Sequence, residues 1–138
     1  MNNYVERLST EWNTHGKIVI AVDFDDTLHP WKFASVNPNV VRIIKDAKRI
    51  GAYIVIWTAC DEARYPEIRH VCSSLGLEID AINDVPLDLP YGKGRKIYYN
   101  ILIDDRAGLE NALDILQKAM NNQLIYLNLN KPASADVG

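Results

Sequence analysis

The stretch Ile18-Val19-Ile20-Ala21-Val22-Asp23-Phe24-Asp25-Asp26-Thr27 decides how this chain is read. Its five consecutive apolar residues, four of them β-branched, fit a strand buried on both faces, as strands of a parallel sheet are. The run ends in three carboxylates within four positions. Buried charge is costly unless it is paired or bound to a cation. A doubly wound sheet also gathers its ligands at the carboxyl ends of its strands. A helix cap or an Asx turn would account for Asp26 or Thr27 alone. It would not account for all three acids, so the pair Asp23 and Asp25 is a candidate for chemistry.

Two further runs end in polar groups. Ala52-Tyr53-Ile54-Val55-Ile56-Trp57 leads into Thr58, and Asn100-Ile101-Leu102-Ile103 leads into Asp104-Asp105, with the basic stretch Lys93-Gly94-Arg95-Lys96 between them. Acid pair, hydroxyl, cation and acid pair in this order suit a magnesium site beside a phosphate site.

Around these runs, an amphipathic helix is expected at 4–13 through Tyr4, Leu8 and Trp12, and a strand at 17–23. A loop or small hairpin is expected at 28–37, marked by Pro30, Trp31 and Phe33. Asn37 should cap a helix from Pro38 that places Val40, Val41, Ile44, Ala47 and Lys48 at helical spacing and stops at Gly51. A strand at 52–57 is followed by a helix capped by Asp61 and closed by Gly76. Next come a strand at 78–82, a long loop at 83–95 and a strand at 99–103. A helix over 109–120 carries Leu109, Ala112, Leu113, Leu116 and Met120, and Leu124–Leu127 reads as a fifth strand. The expectation is an α/β fold: a three-layer α/β/α Rossmann-like sandwich on a mainly parallel, five-stranded sheet with right-handed crossovers. It forms one domain over 1–138, with its core at about 17–127 and a disordered tail at 131–138.

Bulk properties narrow the function classes. The chain has 138 residues, 48% of them hydrophobic and 24% charged, an ordinary globular balance for one domain. A net charge of −3 gives no basic footprint for duplex nucleic acid. No stretch approaches the roughly 20 apolar residues of a membrane span. Glu6, Arg7 and Glu11 interrupt any signal-peptide core, so cytoplasmic residence is expected. The two cysteines, Cys60 and Cys72, form no disulfide framework or zinc pattern. Cys60 lacks the Arg six positions later that a cysteine-phosphatase loop needs, since position 66 is Pro. Cys60 reads as a bystander near the site and Cys72 as core filler.

The motif order resembles the haloacid dehalogenase (HAD) superfamily of aspartate-nucleophile phosphatases. Asp23-x-Asp25-x-Thr27 is similar to its first motif, Thr58 to its second, Lys96 to its third, and Ile103-Asp104-Asp105 to its fourth. The resemblance spans about residues 17–127. Ile103-Asp104-Asp105-Arg106, with Lys96 eight residues before Asp104, resembles small capless members of bacterial and phage type.

The resemblance implies a catalytic set of Asp23, Asp25, Thr58 and Lys96. Asp23 would attack phosphorus and form an aspartyl-phosphate. Asp25 would protonate the leaving oxygen and then deprotonate the hydrolytic water. Its presence favours phosphate over halide chemistry, because a departing halide needs no proton. The implied cofactor is Mg2+, held by Asp23, the backbone carbonyl of Asp25, Asp104, and Asp105 directly or through water. Helix capping would explain Asp104 and Asp105 taken alone. Thr58 would hold a phosphoryl oxygen with help from the Ala59 N–H, and Lys96 would neutralise the phosphoryl group, with Lys93 as its competitor. Thr27 would orient the turn carrying Asp25, and it joins Ala59, Lys93 and Arg64 among the substrate-binding candidates. Trp31, Tyr65, Tyr91 and Arg106 are weaker candidates for leaving-group contact. His29 lies beside the site without a required role, and His15 and His70 read as surface residues.

Two rivals belong to other classes. A phosphoacceptor receiver combines similar residues, but its acceptor Asp stands at the end of the third strand, where this chain has Asp80-Ala81-Ile82-Asn83. The other rival is a non-catalytic binding domain of the same fold.

The substrate follows from access. Thirty residues separate Thr27 from Thr58, and 37 separate Thr58 from Lys96, all of them consumed by core elements. A cap domain needs on the order of 50 residues. An open, capless site suits a large phosphorylated substrate, or a small one if a second subunit of a homo-oligomer supplies a lid. A nucleotide or nucleic-acid terminal phosphate is the expected substrate, with a sugar phosphate or phosphoprotein as the alternative.

Overall fold

The structure, a computed structural model, describes residues 3–84 and 98–131. In chain order these are α1 (Asn3–His15), β1 (Ile18–Asp23), α2 (Asn39–Arg49), β2 (Ala52–Trp57), a 3-10 turn at Glu62–Arg64, α3 (Tyr65–Ser74), β3 (Ala81–Ile82), β4 (Ile101–Ile103) and α4 (Leu109–Leu129). The architecture is mixed α/β, a parallel sheet with helices packed on it, in the strand order β3-β2-β1-β4. The chain winds outward from β1 through β2 to β3, then returns to place β4 on β1's other side. β1 and β4 therefore flank the point where strand order reverses, where open α/β sheets form their ligand crevice.

The register aligns the polar ends. Asp23 pairs with Trp57 and Val22 with Ile103, so Asp104 and Thr58 begin at nearly the level where Asp23 ends. One large core joins Ile18, Ile20 and Val22 of β1 to Ile54 and Ile56 of β2, Ile103 of β4 and buried residues of all four helices. A second cluster holds Val19 and Val55 with partly buried Tyr53, Ala81, Tyr98 and Tyr99. It contains no helical residue, so the helical layer expected on that face is not among the described residues.

Several elements follow the sequence closely. β2 matches its expected bounds, and Asp61 accepts the Ala63 N–H at 2.9 Å to start the next helical segment. Asn37 Oδ1 accepts the Asn39 N–H at 2.9 Å ahead of α2. Gly51 ends α2's turn at φ +104°, where a Cβ would collide with the Gly16 carbonyl oxygen. Cys72 is buried as expected, and burial pushes its thiol up to about 11 despite nearby Arg69.

Four expectations are corrected. Leu124–Leu127 is not a fifth strand: it continues α4, and among the described residues the sheet has four strands. Nothing between Met120 and Leu124 breaks a helix, since Asn121-Asn122-Gln123 contains neither Gly nor Pro. Packing carries the helix onward, because Gln123 is buried and Asn122 Nδ2 donates to Ser9 Oγ of α1 at 3.1 Å. The third strand shortens to Ala81–Ile82 and the fourth to Ile101–Ile103. In α1 the buried stripe is Val5, Leu8 and Trp12, while Tyr4 is exposed. The long loop expected at 83–95 lies outside the described residues apart from Asn83 and Asp84, as does the tail beyond Lys131. Among the described residues no cap stands over the sheet, and no helix is long and apolar enough to cross a membrane.

Candidate active site

Beyond β1 the chain turns at once. The Phe24 carbonyl accepts N–H groups from Thr27, Leu28 and His29, and Asp26 adopts the left-handed region at φ +63°. Asp tolerates that conformation better than most residues. The turn drives Thr27 fully into the interior beneath Asp23. There Thr27 Oγ1 lies 2.9 Å from Asp23 Oδ2 and 3.0 Å from Asp105 Oδ1, and it accepts the Asp105 backbone N–H at 2.9 Å. Its single hydrogen serves one carboxylate at a time. Thr27 thus ties the end of β1 to the segment after β4, and being fully buried it offers no surface to a substrate.

Asp23, Asp104 and Asp105 form a compact group, with one carboxylate oxygen of each within 4.8 Å of the others. Burial, the facing Asp105 carboxylate and the charges of Asp104 and Asp105 together push Asp23 up to about 7, outweighing the lowering effect of the Thr27 hydroxyl. Acids this close disfavour one another's ionised forms, and a cation between them reverses that preference. An all-oxygen, anionic donor set suits a hard divalent cation such as Mg2+. Helix capping does not explain the pair after β4. Asp104 Oδ1 accepts the Arg106 N–H at 2.9 Å within the turn, and α4 begins beyond it with Gly108 at its cap and no side-chain cap.

Asp25 is held apart from this group. Its two oxygens accept from Arg64 Nη1 and Nη2 at 3.0 and 3.2 Å, a two-point ion pair that raises the Arg64 pKa. The Arg64 guanidinium also lies 4.6 Å from the Trp31 ring centroid and 6.0 Å from that of Phe24. Asp26 points elsewhere again: its carboxylate accepts N–H groups from Trp31, Lys32 and Phe33 at 2.8–3.2 Å. Loss of solvation opposes ionisation of Asp26, but these donors and the Lys32 charge hold its pKa below the ordinary value.

Thr58 begins just past β2. Its hydroxyl accepts the Cys60 N–H at 3.2 Å and keeps its own hydrogen to donate. Asn83 clamps the Thr58 peptide from both sides, with Oδ1 accepting the Thr58 N–H at 2.8 Å and Nδ2 donating to the Thr58 carbonyl at 2.7 Å. Nδ2 also reaches the Tyr65 hydroxyl at 3.0 Å. Asn83 sits at φ +52°. Sequence reasoning missed this role; an Asn just after a short apolar strand was the available signal.

One cleft of about 460 Å³ brings these groups together. It is lined by Asp23, Asp25, Asp26, Trp31, Lys32, Thr58, Ala59, Cys60, Arg64, Asp104, Asp105 and Arg106. Lys93, Lys96 and Tyr91 lie outside the described residues, so the choice between the two lysines is not addressed by this geometry. Ala59 lines the wall. Tyr65 instead packs behind it, its hydroxyl bonded to Asn83. His29 stacks on Phe24 with centroids 5.5 Å apart.

No protein-family model matches the chain, and no curated protein matches it. Among solved structures, it is similar to a conserved protein from Bacteroides thetaiotaomicron at 24% identity. That match covers 88% of this chain and 97% of the other, with a TM-score of 0.54. The likeness supports the fold and leaves the chemistry to the residues themselves.

Proposed function

We propose that this protein is a magnesium-dependent phosphomonoester hydrolase of HAD type, working through an aspartyl-phosphate on Asp23. One observation carries the reading: three carboxylates from two adjacent parallel strands converge to within 4.8 Å in a cleft shared with Thr58, Asp25 and Arg64. The reading goes with a capless Rossmann-like α/β/α sandwich and with residence in the cytoplasm.

Asp23 is the nucleophile: one carboxylate oxygen bonds to phosphorus as the bond to the leaving oxygen breaks. Asp25, released from Arg64 and protonated from solvent, would give that proton to the leaving oxygen, then take one from the water that cleaves the acyl phosphate and restores Asp23. To serve, the Asp25 carboxylate must exchange its contact with Arg64, and an incoming phosphate offers Arg64 another anion. The Thr58 hydroxyl, held by Asn83 through its peptide, donates to a phosphoryl oxygen. Lys96, or Lys93, supplies the remaining positive charge. Asp23, Asp104 and Asp105 would hold a magnesium ion, which would supply neutralisation of the phosphate's negative charge.

The test is release of inorganic phosphate from p-nitrophenyl phosphate, with magnesium and with chelator. Hydrolysis that chelation abolishes and magnesium restores is the expected result. Equal turnover in chelator overturns the metal assignment. A lasting phosphoprotein without turnover would point instead to a phosphoacceptor domain.

A further inference from the structure

The loop after β1 carries a feature that phosphate chemistry does not require. Trp31 and Phe33 are 59% and 64% exposed and stand on either side of Lys32. Scattered exposed aromatics are ordinary on a protein surface. These two are mounted differently. The Asp26 carboxylate accepts the backbone N–H groups of Trp31, Lys32 and Phe33, fixing all three residues through the main chain. The main chain beneath both rings is thus fixed, while the rings themselves stay out of the core. Trp31 also lines the acidic cleft, with the Arg64 guanidinium against its ring and Lys32 in the same wall.

We propose that Trp31-Lys32-Phe33 is a preorganised stacking platform for an unpaired nucleobase, so that the phosphate presented to Asp23 belongs to a nucleoside. The proposal rests on the hydrolase reading and names its substrate class. Flat, rigid aromatic faces interleaved with a cation are how proteins hold unpaired bases, and stacking tolerates any base. Arg64 lies against the Trp31 ring, and the ring's high exposure leaves stacking area open. Lys32, Arg64 and Arg106 bring positive charge to the same cleft, matching a phosphate attached to the stacked nucleoside. A net charge of −3 gives no overall basic balance for long duplex tracts, which fits recognition of a single terminal or free nucleotide.

The experiment compares kcat/KM on thymidine 3′- and 5′-monophosphate, 3′- and 5′-phosphorylated oligothymidylate, ribose 5-phosphate and a phosphoserine peptide. The expected result is a preference for the base-bearing substrates. Trp31→Ala should cost about 10- to 100-fold more on them than on ribose 5-phosphate, mainly through KM. Trp31→Phe should recover most of that loss. Phe33→Ala should weaken oligonucleotide turnover further if the substrate is a nucleic-acid end, and spare mononucleotides; equal effects on both assign a free nucleotide. In the Asp23→Asn background, thymidine monophosphate should quench fluorescence that Trp31→Phe removes. Quenching without any hydrolysis by the unsubstituted protein would keep the platform and overturn the hydrolase. Hydrolysis with no preference for a base, equal losses on ribose 5-phosphate, or fastest turnover of the phosphopeptide would overturn the platform and keep the hydrolase.

Discussion

The two acid pairs of this protein end neighbouring strands and behave differently. After β4, Asp104 and Asp105 are adjacent in sequence, and both carboxylates join the group around Asp23. After β1, Asp23 and Asp25 are separated by Phe24, which is fully buried. Only Asp23 joins the group, while Asp25 pairs with Arg64 across the cleft. The first pair is thus split by the turn that follows it, and the second is kept together by the turn beyond β4. Proximity in sequence does not determine shared chemistry; the turn after each strand does.

The largest effect that can break this comparison is on catalysis. Asp23→Asn should lower turnover of p-nitrophenyl phosphate by more than about a thousandfold, because an amide is a poor nucleophile, while far-UV circular dichroism stays unchanged. Near-normal turnover would remove Asp23 from the reaction.

Asp25→Asn should cost about 100- to 10,000-fold in turnover, the usual range for a lost acid–base group. It should leave the thermal shift produced by magnesium intact, whereas Asp104→Asn should diminish that shift. Equal loss of the shift in both variants would place the Asp25 carboxylate, and not its backbone carbonyl alone, with the metal ligands and erase the difference between the pairs.

Thr27→Val is a smaller change aimed at the link between the two strand ends. It keeps the shape but strands the half-buried Asp105 N–H and removes the hydroxyl beside both carboxylates. Urea unfolding should show a loss of about 1–3 kcal/mol. A loss close to zero would mean that the two strand ends are held by the sheet alone.

The smallest expected effect is on stability against pH in chelator. Asp23 binds its proton more tightly in the folded state, at about 7, than its ordinary 3.8. The folded state therefore holds more protons between these values, so this group's contribution is full below about 3.8 and is lost as pH rises through 7. The melting temperature should fall by a few degrees from pH 5 to pH 8 relative to Asp23→Asn. Magnesium should restore it at pH 8. A fall as large in Asp23→Asn would assign the pH effect to other groups.

The strands that carry the site were legible because their signal is local. Ile18–Val22 and Ala52–Trp57 are apolar runs of strand length with polar ends, and the structure follows them almost residue for residue. Leu124–Leu127 carries a similar apolar run and belongs to a helix. Four apolar residues alone cannot distinguish the two states. What distinguishes them is the absence of a helix breaker after Met120 and the packing of α4 on α1, including the Asn122–Ser9 bond across more than a hundred positions. Asn83 escaped notice for a related reason: its target, the Thr58 peptide, lies 25 positions away.

The sequence by itself determined the chemistry available: acids, a hydroxyl and cations at or near the ends of buried strands. Residue type and the periodicity of burial are properties of short segments, so they can be read directly. Tertiary structure alone decided how those groups divide. Parallel register brought Asp104 level with Asp23, a left-handed Asp26 drove Thr27 under both carboxylates, and Arg64 drew Asp25 away from them. Each of these depends on the approach of segments 39 or more positions apart, with the turn at Asp26 setting the direction, and no short stretch of sequence encodes such an approach.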